Sequence, residues 1–344
     1  MGALPVASTL CGAFPHCWKI TYDPTKTGSA TSPNFSALIY GSATVLKDTA
    51  HGGYVNSSSG ADVEIFSDAC VTQVASEIDF YDNVNGVLNL WAQKTLTQVA
   101  GSLWVCVGNA SPPARTTNPW DSNYKGVWHL PNGATLTAND STGSYNGAIS
   151  GATATAGQID GGANFVSAGS QHITIGTHPS YTGASKAVIS GWYKRAATGG
   201  YLSFKQNDGN DQFGAFYYGG TLYFIANNGG NTYATYSLND TAWHYIVQVF
   251  DGTQTGNNRL LGYVDGSPVS LVYYGPFPAT LGTADQLILG WDVADSIYSD
   301  GIIDEGRLSI GATRSPDWIL AEYNSQKTPG NIGTPGFWTW AAVQ

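Results

Sequence analysis

Charged side chains are scarce. Lys, Arg, Asp and Glu make up 11% of the 344 residues, where about 25% is usual. Long charged helices are therefore disfavoured, and the polarity rests on Ser, Thr, Asn, Gln and Gly. Basic residues are the rarer sign, 14 against 24 acidic, for a formal net charge of −10. Such a chain repels a phosphate backbone, so nucleic acid is not an expected partner. No apolar run approaches the roughly 18–20 residues of a membrane helix, and no membrane span is expected. The first residues, Met1 through Cys17, lack a basic n-region, and Pro5 and Gly12 break their apolar stretch, so they do not read as a signal peptide. That leaves an intracellular protein, a shortened chain or a phage particle protein released by lysis. No GxGxxG or GxxxxGKS occurs, which removes support for nucleotide binding, and the six histidines form neither HExxH nor a Ser/His/Asp series.

What is plentiful is glycine, 43 residues, and aromatics, 12%. Glycine supplies the positive φ of tight turns and aromatics fill sandwich cores. The four cysteines, Cys11, Cys17, Cys70 and Cys106, all lie in the first third. They allow three full pairings, and sequence does not choose among them. Cys11 and Cys17 are close enough in the chain to bridge, while Cys106, inside an apolar run, reads as a small buried hydrophobe. His16 beside Cys17 lacks the spacing of a zinc site.

The stretch Ser111–Pro119 carries three prolines and no apolar period, which marks a boundary. Residues 1–118 read as an N-terminal anchoring β-sandwich, 119–328 as a second sandwich, and 329–344 as an apolar tail. Before the boundary, Trp18–Tyr22, Ser36–Tyr40, Asp62–Phe66, Val87–Ala92 and Leu103–Val107 are β-rich runs. After it, Gln212–Tyr218 meets Thr221–Ala226 across Gly219-Gly220, a hairpin signal. Thr232–Leu238, Trp243–Phe250 and Arg259–Val264 continue the series, as in a sandwich. One helix is predicted, with Ser315 as N-cap, Pro316 at its first position and Asp317 at its positive end. The fold class expected is all-β with one short C-terminal helix.

Several segments then carry a resemblance. Gly161–Phe165 with His172–Ile175, Val188–Lys194, Trp243–Val247 with Tyr263–Gly266, and Ile303–Leu308 with Trp318–Asn324 follow in order. In that order they resemble the concanavalin A-like, laminin-G-like jelly-roll family over about Trp120–Gln326. The earlier part, through Trp18–Thr21, Asp62–Phe66, Ser76–Asp82 and Asn118–Tyr124, resembles an uncharacterised β-rich domain that precedes such modules in bacterial and phage surface proteins. The resemblance implies a non-catalytic adhesion or structural protein with a lectin-like domain. It would be a decoration, tail or fibre component of a phage virion, at the virion surface or extracellular. It also implies bound calcium, with Asp140, Asn146 and Asp304 as ligands; the bland alternative is an Asx-turn loop around Asp140.

For glycans, rings near predicted turns with carboxylates beside them are the candidates: Trp291, Asp292, Asp295, Tyr298, Tyr217 and Tyr218. Tyr273 and Tyr274 belong to the same set. Glu77-x-Asp79-x-x-Asp82 resembles the acidic strand of laminarinase- and lichenase-type glycosidases, where alternation puts carboxylates on one face, although Asp82 stands where those enzymes have Glu. A soluble carbohydrate-binding module and a hydrolase of β-glucans are thus the alternatives. The tail residues Phe337, Trp338 and Trp340 must be docked, on this chain or on a neighbour, because undocked termini fray. They are the expected interface of a homo-oligomer or with other surface proteins.

Overall fold

A computed structural model describes residues 10–131, 135–206, 211–283 and 285–344. The first nine residues of the stretch read above for a signal peptide lie outside it. Contacts divide the chain into two units, Met1–Asp121 with Leu320–Gln344, and Ser122–Ile319. The fold is all-β, with Pro316–Lys327 the one α-helix among the described residues. Trp318 N–H donates to the Ser315 hydroxyl at 3.1 Å, the cap expected from the sequence. No helix is long and apolar enough to cross a membrane.

The first unit holds a four-stranded sheet, in the order 338–340, 16–22, 102–107 and 64–67, and a three-stranded sheet of 32–42, 87–96 and 76–82. The tail is not a separate segment: Phe337, Trp338 and Trp340 are buried, while residues 341–344 are exposed. Trp338–Trp340 pairs with His16–Tyr22, setting Trp340 opposite Ile20 and Trp338 opposite Tyr22. Phe337 and Trp338 are fully buried, and the Trp338 indole N–H donates to the Leu38 carbonyl at 2.9 Å. Alternating large rings in a Trp-Thr-Trp run are what a half-buried edge strand requires, one face inward and Thr339 outward.

The cysteine expectations also change. Cys11 bridges Cys70, and Cys17 bridges Cys106. Cys17 and Cys106 sit directly opposite on neighbouring antiparallel strands, and strand register, not chain distance, made the pair.

The second unit packs two eight-stranded antiparallel sheets. One runs 267–268, 260–264, 244–251, 186–195, 301–310, 161–165, 153–156, with 124–128 also paired to 301–310; the other runs 272–274, 233–237, 221–226, 213–218, 202–206, 286–289, 172–177, 148–150. The core between them includes Phe204, Phe213, Phe224, Phe250 and Ile303. Gly262 lets its strand approach closely, since a Cβ there would stand 2.6 Å from the Phe224 ring. The predicted hairpin forms across Gly219 and Gly220, both at positive φ (57° and 81°).

Candidate functional site

Alternation along the strands of the second sheet sends one set of rings into the core and the next set outward. In Phe213–Tyr218, Ala215 and Tyr217 are buried while Phe216 and Tyr218 face out. The two-residue glycine loop places Phe216 opposite Tyr223. The next pairing sets Ile225 opposite Tyr233, and the edge strand sets Tyr233 opposite Tyr274. The outcome is a ladder of rings across the outer face. Tyr201 and Phe216 lie 5.7 Å apart, Phe216 and Tyr223 4.8 Å and nearly parallel, Tyr223 and Tyr233 5.6 Å, and Tyr233 and Tyr274 4.8 Å. Burial, with the neighbouring Tyr233, Tyr274 and Tyr218 hydroxyls, raises the Tyr223 phenol above its ordinary value. A phenol hydroxyl can both donate and accept.

From Tyr201 through Phe216 and Tyr223 to Tyr233, the ladder lines a cleft of about 760 Å³. Asp292, Ala294, Asp295 and Ile297 of the hairpin Trp291–Asp292/Ile297–Tyr298 line it too, as do Asn227, Gly230 and Asn231 of a loop. Lys205 lies at the floor, 1% exposed, with its ammonium 2.7 Å from Asp292 and 3.1 Å from the Gln212 side-chain oxygen. Burial pushes its pKa down, and Asp292 opposes that. The Tyr201 hydroxyl donates to the other side of the pair, at 2.9 Å from Asp292, and burial followed by that carboxylate holds its pKa well above the ordinary range. The floor is thus a closed polar network, while Asp295, Asn231 and Tyr218 are exposed at the rim.

Of the residues expected at a glycan site, Asp292, Asp295 and Tyr218 line the cleft. The other three do not. Tyr217 is 2% exposed and turned inward, with the Arg195 guanidinium 4.4 Å from its ring. Trp291 neighbours Asp292 on a strand and so points the other way. It stacks on Tyr298 at 5.3 Å, with His172 4.9 Å away. Tyr273, also a candidate, packs edge-on against Phe277. The sequence reading missed Tyr201, Lys205, Phe216, Tyr223 and Tyr233. For Phe216 and Tyr223 a signal existed: a two-residue loop fixes which residues of a hairpin stand opposite.

The residues expected to hold calcium do not make one site. The Asp140 carboxylate accepts from the backbone N–H of Val127, Thr142, Ser144 and Tyr145 and from the Thr142 hydroxyl. Those five donors leave it no direction for a cation. Asn146 turns its side-chain oxygen to the Asp140 N–H, which is the Asx-type loop. Asp304 instead holds the N–H groups of Gln158 and Ile159 through one oxygen. Burial first, then Glu305 and Asp160, raise its pKa well above normal.

The acidic strand Ser76–Asp82 carries a register shift between Ile78 and Phe80, which breaks the alternation a carboxylate pair needs. Glu77 accepts from the Trp120 indole at 2.9 Å and Asp79 from the Trp91 indole at 3.3 Å. Asp82 closes its own turn, holding Val84, Asn85 and the Asn85 amide, which lowers its pKa. Each of the three acids thus holds a neighbouring group.

No curated protein matches the chain in sequence. Solved structures similar to it include the binding domain of botulinum neurotoxin DC in complex with SialylT, at 13% identity and TM-score 0.44, covering 59% of this chain and 51% of that one. The binding domain of Paraclostridial Mosquitocidal Protein 1 is similar at 11% identity and TM-score 0.46, covering 59% and 52%. Domain 4 of AbnA, an extracellular GH43 arabinanase of Geobacillus stearothermophilus in complex with arabinotriose, is similar at 15% identity and TM-score 0.41, covering 58% and 98%. The chain thus spans about half the length of the toxin binding domains. Residues 167–319 match the family model Laminin_G_3, described as the concanavalin A-like lectin/glucanases superfamily, and with its two packed antiparallel sheets the Ser122–Ile319 unit carries a laminin-G-like domain of the concanavalin A-like type.

Proposed function

We propose that the chain is a lectin-like binding protein that takes carbohydrate in the cleft beside the tyrosine ladder. One observation carries this reading: ring faces and edges, phenol hydroxyls, Asp295 and Asn231 converge on a groove whose floor is already satisfied. A pyranose presents a C–H face and a ring of hydroxyls, and it needs this mixture of flat apolar surface with acceptors and donors at the edge. The volume lies within the roughly 300–1,000 Å³ of small-molecule sites. The residues found around the cleft bind and orient; the described carboxylates within it are an exposed rim group and one locked to Lys205.

Two buried disulfides favour an oxidising compartment, so the proposed setting is extracellular or on an exposed particle surface such as a virion. The rings expected at a homo-oligomer interface, Phe337, Trp338 and Trp340, are buried in their own unit.

The test is titration of the full chain against a panel of oligosaccharides, with Tyr223→Ala and Tyr218→Ala beside the parent. Removing a ring that stacks on ligand costs about 1–3 kcal/mol, and the variants are expected to weaken binding about tenfold or more with the fold intact by circular dichroism. Unchanged affinity in both variants would overturn the assignment to this cleft.

A further inference from the structure

Resting on that reading, we infer that the cleft selects uncharged glycans and rejects those bearing carboxylate or sulfate groups. Among the described residues that line it, one amine and two carboxylate side chains are found: Lys205, Asp292 and Asp295. Lys205 is the one cation among the described lining residues, and it is not available to a ligand. It is 1% exposed, held by Asp292 at 2.7 Å and Gln212 at 3.1 Å, with the Phe216 ring over it at 5.2 Å. An incoming anion would have to displace Asp292 and break a buried ion pair, which leaves a charge uncompensated.

Asp295 sits exposed on the rim, where a ligand passes. The described lining residues therefore carry one negative charge in excess, on a chain whose own formal net charge is −10. Like charges meet at the mouth and are opposed by the long-range field as well. Neutral sugars meet the same groups favourably. Their hydroxyls donate to Asp295, exchange hydrogen bonds with Asn231 and the Tyr218, Tyr223 and Tyr233 phenols, and lay a C–H face beside the rings. Asp295 thus becomes a specificity determinant by repulsion, not by added contact.

The experiment uses pairs of probes with one backbone and two charges: galacto-oligosaccharide against oligogalacturonate, manno-oligosaccharide against oligomannuronate, and lactose against sialyllactose. Each pair is titrated into the full chain at low and at high salt, with the parent and with Asp295→Asn. In any pair that binds, the neutral member is expected to be tighter by about tenfold at low salt. The gap should shrink at high salt as the field is screened, and it should shrink in Asp295→Asn. An acidic member that binds as well as or better than its neutral twin overturns this inference and leaves the carbohydrate reading standing. A gap unmoved by both salt and Asp295→Asn also overturns it, since charge would not be its cause. Binding of no member of any pair removes the carbohydrate reading itself.

Discussion

Lys205 and Asp292 show what a polar contact is worth when it is taken fully out of water. Both side chains are at most 3% exposed and 2.7 Å apart; the Tyr201 hydroxyl donates to the same Asp292 oxygen, and Gln212 accepts from Lys205. Breaking such a pair from one side strands the other charge, at a cost of about 3–5 kcal/mol. Asp292→Ala is therefore expected to lower stability by that amount, while Lys205→Met with Asp292→Ala loses much less than the sum of the singles. Urea denaturation of the four proteins in a double-mutant cycle measures this. His244 is a milder case. Its two ring nitrogens lie 2.8 Å from Asp265 and 2.9 Å from Asp240, and the Asp265 hydrogen bond, then Asp240, raise its pKa. The charged imidazole is favoured in the folded state. Its contribution is complete below the unfolded value near 6.5 and is lost as pH rises through the higher folded one. For this partly exposed group roughly 1 kcal/mol is at stake. Denaturation of the parent across pH 5–9 should show that loss, and His244→Gln should flatten it.

At the scale of elements, the hairpin across Gly219 and Gly220 and the helix capped by Ser315 follow from local chemistry, and both were legible in the sequence. Glycine at positive φ and a hydroxyl before a proline-led turn need no distant partner. The pairing of Trp338–Trp340 with His16–Tyr22 was not legible. A three-residue strand carries too little pattern to name a partner more than three hundred residues away. The bridge from Cys17 to Cys106 was hidden for the same reason, since it follows from the register of 16–22 on 102–107. The ladder divides likewise. Phe216 opposite Tyr223 could be counted from the turn, whereas Tyr233 and Tyr201 join through longer connections whose register only the folded sheet sets. The tail strand is also the element whose loss should be felt most. Trp338 is fully buried and its indole N–H is hydrogen-bonded to Leu38. Trp338→Ala is expected to cost about 3–5 kcal/mol, read as a lowered denaturation midpoint confined to the first unit.

For the whole molecule, the division into two units leads to an expectation of two unfolding transitions, in which case one unfolding free energy would not describe the chain. Both disulfides belong to the first unit, whereas Ser122–Ile319 contains no cysteine. Scanning calorimetry with and without reductant should therefore move one transition and leave the other. Removing native bridges of this kind costs about 2–5 kcal/mol, and a shift of both transitions by similar amounts would argue against separate units. The same division has a mechanical side. The polypeptide leaves the first unit at Asp121 and re-enters it at Leu320, and residues 16–22 and 338–340 are zipped edge to edge, with Cys17 and Gln344 exchanging two further backbone hydrogen bonds. A load applied through residues before His16 and after Trp340 would first have to unzip that seam. Until it does, residues 122–319 lie outside the loaded path along the chain.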